Sequence, residues 1–87
     1  MRKIIFEATA VEDLVYWAEK DFRILKKIIF LMNDAAKNPL EGMGIPKPLK
    51  YRNSTWSRRI NQEHRLVYKV TDESIIIVSC RFHYEED

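Results

Sequence analysis

Eighty-seven residues, 46% apolar and 32% charged, suffice for one domain with one modest core of ordinary globular composition. No apolar run approaches the roughly 18 residues of a membrane-spanning helix, and no signal-peptide pattern precedes the first strand. A lone cysteine, Cys80, excludes a disulfide framework and a cysteine-based metal site, so a cytoplasmic protein is expected.

The net charge of +2 is unevenly distributed. Residues 1–38 carry seven basic and six acidic side chains, a near balance. Residues 39–69 carry seven basic (Lys47, Lys50, Arg52, Arg58, Arg59, Arg65, Lys69) against Glu41 and Glu63. Residues 70–87 hold one basic and five acidic side chains. The middle third is a basic patch that suits a polyanion, although a solvated charged face produces the same pattern.

In chain order, Ile4-Ile5-Phe6 predicts a short strand. Thr9-Ala-Val-Glu12 has the form of a capping box. Val11, Leu14, Val15, Ala18 and Phe22 then trace one face of an amphipathic helix. Asp21 is placed to cap a second helix with the stripe Ile24, Leu25, Ile28, Leu31, Met32 and Ala35, which Asn38-Pro39 terminates. Two helices so tightly joined predict a hairpin. A loop from Glu41 to Pro48 holds both glycines and leads to a short strand, Leu49-Lys50-Tyr51. Strands at Trp56–Ile60, Arg65–Val70 and Ile75–Phe82 follow, separated by polar turns. The layout is β-αα-ββββ, an α+β fold whose antiparallel-rich sheet carries both helices on one face. Short connections favour hairpins over parallel crossovers.

Alternation places Leu66, Tyr68 and Val70, with Ile76, Val78, Cys80 and Phe82, beneath the helices. Arg65, Lys69, Arg81 and His83 turn to the open face. A strict two-residue turn at Asp72-Glu73 would pair the wrong faces, so this arrangement requires a longer loop or a bulge. Arg58 and Arg59 alternate, so only one of them can reach the open face; Arg59 is the choice. An arginine to hold a phosphate and a histidine to move a proton are the minimum kit for cutting RNA. Cys80 reads as a small buried hydrophobe, Trp56 as packing, and His64 as a turn residue that is structural or ribosome-contacting and not catalytic.

The series Gly44-x-Pro-x-Pro-Leu-Lys50, Trp56-Ser-Arg-Arg-Ile60, Glu63-His-Arg-Leu-Val-Tyr68 and Cys80-Arg-x-His-Tyr84 resembles the YoeB family of bacterial toxins, within the RelE group. The resemblance spans essentially the whole chain. It implies the toxin of a type II toxin–antitoxin pair that binds the ribosomal A site, often as a homodimer, and cuts mRNA there. It implies silencing by a YefM-like antitoxin, and neither metal nor cofactor. By position, Arg65 is the phosphate-stabilising arginine and His83 the general acid. Tyr84 stacks on or positions a base, and Lys50 and Arg59 bind backbone phosphates. The family's general base is a glutamate in the Gly-x-Pro-Glu-Pro loop.

Here that position is Lys47. A lysine of ordinary basicity is a free amine only about once in 2,500 molecules at pH 7. Three readings stay open: a lysine base favoured by the like charges of Lys50, Arg59 and Arg65, a phosphate-binding lysine in a slower enzyme, or an attenuating substitution. The tail Glu85-Glu86-Asp87 continues past the resemblance and either favours a charged His83 or is screened and inert. The expected function is a ribosome-dependent mRNA endoribonuclease. The alternatives are a weakened relative that still binds ribosome and antitoxin, and a plain RNA-binding domain.

Overall fold

The computed structural model describes residues 1–82. Their order is β1 (Lys3–Phe6), α1 (Ala8–Lys20), α2 (Phe22–Lys37), β2 (Lys47–Pro48), β3 (Thr55–Arg59), β4 (Arg65–Val70) and β5 (Ser74–Ser79). The strands form one sheet in the order β1-β5-β4-β3-β2. Hairpin pairings join β2 to β3, β3 to β4 and β4 to β5, whereas β1 lies parallel to β5 at the far edge. The expected β-αα-ββββ layout is therefore observed, with one parallel pairing that a hairpin rule does not supply. No described helix is long and apolar enough to cross a membrane.

α2 follows its pattern. The Asp21 side chain accepts a hydrogen bond from the Arg23 N–H, and Ile28, Leu31, Met32 and Ala35 are buried. α1 does not. Its buried residues are Ala10, Asp13 and Trp17, while Val11, Val15 and Phe22 stay exposed. The expected capping box is also absent: the helix starts at Ala8 after Glu7, which makes no side-chain cap. Because the Glu7 N–H still donates to Ile77, the β1 pairing runs directly into the helix and leaves Thr9 inside its first turn. Two side chains set the rotation of α1. The Trp17 indole N–H donates to the Cys80 carbonyl at 2.8 Å, and the Asp13 carboxylate accepts the Cys80 N–H at 3.0 Å. A buried carboxylate that satisfies a strand end outranks two valines, and hydropathy does not register it.

Of the residues on β5 expected beneath the helices only Cys80 is buried, and Arg81, expected on the open face, stacks on Tyr16 of α1. Val70 pairs with Ile75 and Tyr68 with Ile77, but Val67 pairs with Ser79, so the register shifts at Val78. This bulge changes the parity of the strand. Before it Ile75 and Ile77, not Ile76 and Val78, enter the core beside Leu66 and Tyr68. After it Cys80 is buried as expected, and Phe82 is exposed rather than buried. The strand also stops at Ser79, because the Cys80 N–H is taken by Asp13 and the chain bends. The remaining correction concerns β2, which occupies Lys47–Pro48 instead of Leu49–Tyr51. The Leu49 N–H donates to Thr55, and Tyr51 and Ser54 take left-handed backbone angles, so this stretch reverses direction instead of extending.

Burial drives the Cys80 thiol up to about 12, with the Asp13 charge adding to it. The native protein should therefore resist alkylation by iodoacetamide at pH 8 and react only on unfolding, as mass spectrometry would record. Trp17→Phe should cost about 1–3 kcal/mol by leaving the Cys80 carbonyl without its donor. Urea denaturation would register this as a lower midpoint with an unchanged slope.

Candidate functional site

The helices cover one face of the sheet and leave the other to side chains of alternate parity. Residues directly opposite in a ladder share a face and sit about 5 Å apart. Lys47 lies opposite Ser57, Ser57 opposite Val67, and Val67 opposite Ser79, forming one row across four strands. Arg59 lies opposite Arg65 two residues along, so Lys47 is the diagonal neighbour of Arg59. The helix-free face thus gathers three of the expected site residues, Lys47, Arg59 and Arg65, around a row whose Ser57, Val67 and Ser79 side chains are themselves buried. Lys47 and Arg59 are exposed and Arg65 is half-buried. No hydrogen bond or ion pair engages their side chains among the described residues.

Lys50 stands apart. It follows Leu49, whose N–H meets Thr55, four residues and about 13 Å of strand from Arg59. His83 and Tyr84 lie outside the described residues. The chain nevertheless reaches Arg65 before them, because the Arg65 N–H donates to the Phe82 carbonyl at 3.0 Å. The Phe82 N–H in turn donates to His64 Nδ1 at 2.8 Å. The His64 ring packs edge-on against Trp17, with centroids 4.8 Å apart. His64 therefore ties the β3–β4 turn to the end of the chain, which is the structural role its position suggested.

Arg58, next to Arg59 on β3, points the opposite way and is fully buried. Its guanidinium makes five hydrogen bonds: to the Tyr68 hydroxyl, the Asp34 carboxylate, and the carbonyls of Asn38, Glu41 and Met43. Asp34 also accepts the Met43 N–H, and the Tyr68 hydroxyl donates to the Pro39 carbonyl. One cation thus organises the loop that leads from α2 to β2. Gly42 is required there, since its backbone is left-handed (φ +117°) and a Cβ would collide with the Asp34 carboxylate. Ile45 is also left-handed (φ +52°) immediately before Pro46, so the strand carrying Lys47 is entered through a strained turn. Strand parity alone turns Arg58 away from the site. Its parity was legible, but its partners were not, because Asp34 and Tyr68 are 24 and 10 residues distant.

The residues 6–84 match the family model described as YoeB-like toxin of bacterial type II toxin-antitoxin system. The chain belongs to this family. It is 52% identical to Toxin YoeB of Escherichia coli K12 over 83 residues, covering 94% of this chain and 99% of the relative. The YoeB dimer from Staphylococcus aureus superposes with a TM-score of 0.89 at 45% identity, covering 95% of this chain and 98% of that one. YoeB in the heterotetrameric YoeB-YefM complex from Staphylococcus aureus gives 0.83 at 45% identity, covering 97% and 99%. The α+β fold of this YoeB-family toxin is thus the one its structural neighbours share.

The Met43 N–H, then the Arg58 guanidinium, hold the Asp34 carboxyl below the usual carboxylate range, against a smaller opposing effect of burial. Burial pushes the Tyr68 hydroxyl up, partly offset by Arg58. Because the folded-state pKa of Asp34 is depressed, its contribution to stability is complete above the unfolded value of about 3.9. It is lost as pH falls through the lower folded value. Asp34→Asn should cost about 3–5 kcal/mol at pH 7 by leaving Arg58 without its counter-ion. The variant should also lose less stability than the parent between pH 5 and pH 2, a contrast that urea titrations across that range would measure.

Proposed function

We propose that this YoeB-family toxin is a ribosome-dependent endoribonuclease that cuts mRNA in the ribosomal A site and so stops translation in the cytoplasm. The observation that carries this reading is the convergence of Lys47, Arg59 and Arg65, whose side chains have no hydrogen-bond or ion-pair partner among the described residues, on the helix-free face. Three cations at ladder spacing, without counter-ions among the described residues, suit successive phosphates and the extra charge of a phosphorane-like transition state. The ribose 2′-oxygen attacks the adjacent phosphorus and the bond to the 5′-oxygen breaks, leaving a 2′,3′-cyclic phosphate and a 5′-hydroxyl. Arg65 stabilises the phosphoryl oxygens, and Arg59 and Lys50 hold the backbone. His83 returns a proton to the departing 5′-oxygen, and Tyr84 positions a base. Lys47 receives the 2′-hydroxyl proton when neutral and binds phosphate when charged.

A YefM-like antitoxin that lays an acidic segment over the basic face is the fitting inhibitor, and a homodimer the fitting assembly. The Staphylococcus aureus YoeB-YefM complex and YoeB dimer support both partners. Lys47 itself favours a second reading, a toxin that binds ribosome and antitoxin but cuts slowly, since the resemblance expects a carboxylate at this position.

Primer extension of an mRNA on programmed ribosomes separates the two. In the first reading the protein cuts at the A site, Lys47→Glu changes the rate by less than tenfold, and His83→Ala lowers it by at least a hundredfold, as general-acid loss requires. In the second, the protein is nearly silent and Lys47→Glu raises cutting by orders of magnitude. Failure of both this protein and its Lys47→Glu variant to cut would remove the nuclease reading.

A further inference from the structure

Two kinds of cation share the helix-free face of the sheet. Lys69 has a counter-ion, since its Nζ lies 3.4 Å from the Glu7 carboxylate. Arg65, four residues earlier on the same face of β4, has none among the described residues, and neither do Arg59 and Lys47. The missing counter-charge is present in the sequence, where Glu85, Glu86 and Asp87 follow one another beyond the described residues. The chain sets out towards them from beside the cations. The Phe82 carbonyl accepts the Arg65 N–H at 3.0 Å, and only His83 and Tyr84 separate Phe82 from Glu85.

Reach is sufficient. Extended chain covers about 10 Å in three residues and about 17 Å in five, which brackets Glu85 to Asp87 as measured from Phe82. Arg65 is adjacent to Phe82, and Arg59 lies one strand spacing of about 5 Å beyond Arg65. Lys47 is two strand spacings across and two residues along, about 12 Å from Arg65. All three cations fall within range before the length of any side chain is added.

We propose that Glu85-Glu86-Asp87 is the resident ligand of the Lys47, Arg59 and Arg65 row, an internal polyanion that RNA must displace. Exposed ion pairs are individually weak and screened by salt. Attachment compensates, because a segment tethered a few residues from its site acts at about millimolar effective concentration. An RNA backbone brings a longer line of charge and wins the competition, so the contact is a reversible brake on the site. Docking of the segment stands on charge and reach, while the brake rests on the reading of this face as RNA-binding.

The test uses the full-length protein and carbodiimide, which joins a carboxylate to an amine in contact with it; Lys47 is the one amine in the row. At low salt, peptide mass spectrometry should find Lys47 linked to residue 85, 86 or 87. A short single-stranded RNA with 2′-deoxy linkages should suppress that link. A link formed with Lys50 or Lys69 and not with Lys47 overturns the proposal. So does a link found only between differently isotope-labelled copies, which would make the occupant a second molecule's segment. The combined variant Glu85→Gln, Glu86→Gln, Asp87→Asn should bind the same RNA about 3- to 100-fold more tightly, the range of three exposed ion pairs. That gain should fade as salt is raised. Tighter binding without any Lys47 link reduces the segment to long-range repulsion and also overturns the proposal. Arg65→Ala separates the two readings. If RNA binding survives that change and RNA leaves the Lys47 link untouched, the RNA-binding reading has failed and the brake with it. If Arg65→Ala weakens RNA binding but the neutralised variant binds no better than the parent, only the brake has failed.

Discussion

A single guanidinium in the interior holds this fold to its site. Arg58 is fully buried, and burying a cation is costly unless every donor is met and a counter-charge is close. Both conditions are satisfied by parts of the chain that share no secondary structure. α2 supplies the Asp34 carboxylate, β4 supplies the Tyr68 hydroxyl, and the loop after α2 supplies three carbonyls. The loop buries little of its own apolar surface, since Leu40, Met43 and Ile45 remain exposed. Its shape is held by polar bonds to a charge that cannot leave. This explains how a strand of two residues, Lys47–Pro48, keeps its place at the sheet edge.

The two neighbouring arginines of β3 therefore divide the labour by strand parity alone. Arg58 faces the helices and builds the loop, while Arg59 lies on the other face, exposed and without a side-chain partner among the described residues. A one-residue slip of β3 would exchange these roles and destroy both. The register is guarded on the same strand: Trp56 packs beside the core, and the Arg59 N–H donates to the Gly44 carbonyl at 2.7 Å. Placement of the basic face and integrity of the core are the same structural fact.

The opposite end of the sheet follows a related logic. There the Cys80 peptide groups are bonded to Asp13 and Trp17 of α1, and the Phe82 peptide groups to His64 and Arg65. Side chains from a helix and a turn thus take over the backbone hydrogen bonding where β5 ends. The last described residue, Phe82, is thereby held beside Arg65, the first residue of the neighbouring strand β4. A bulge at Val78 makes the redirection possible, because it changes which face the following residues present.

What the sequence by itself determined is the order of elements, the α2 stripe, the Asp21 cap, the opposition of Arg58 and Arg59, and the concentration of positive charge in the middle third. These rest on periodicity and local chemistry, which act within a few residues and are written in the chain. The motifs from Gly44 to Tyr84 also sufficed to point to the family. The tertiary structure alone decided the rotation of α1, the bulge at Val78, the parallel pairing of β1 with β5, and the partners of Arg58. In each case the deciding interaction joins residues distant in sequence. Asp13 meets Cys80 across 67 positions, and Asp34 meets Arg58 across 24. Such bonds satisfy buried polar groups, and no window of hydropathy contains both partners.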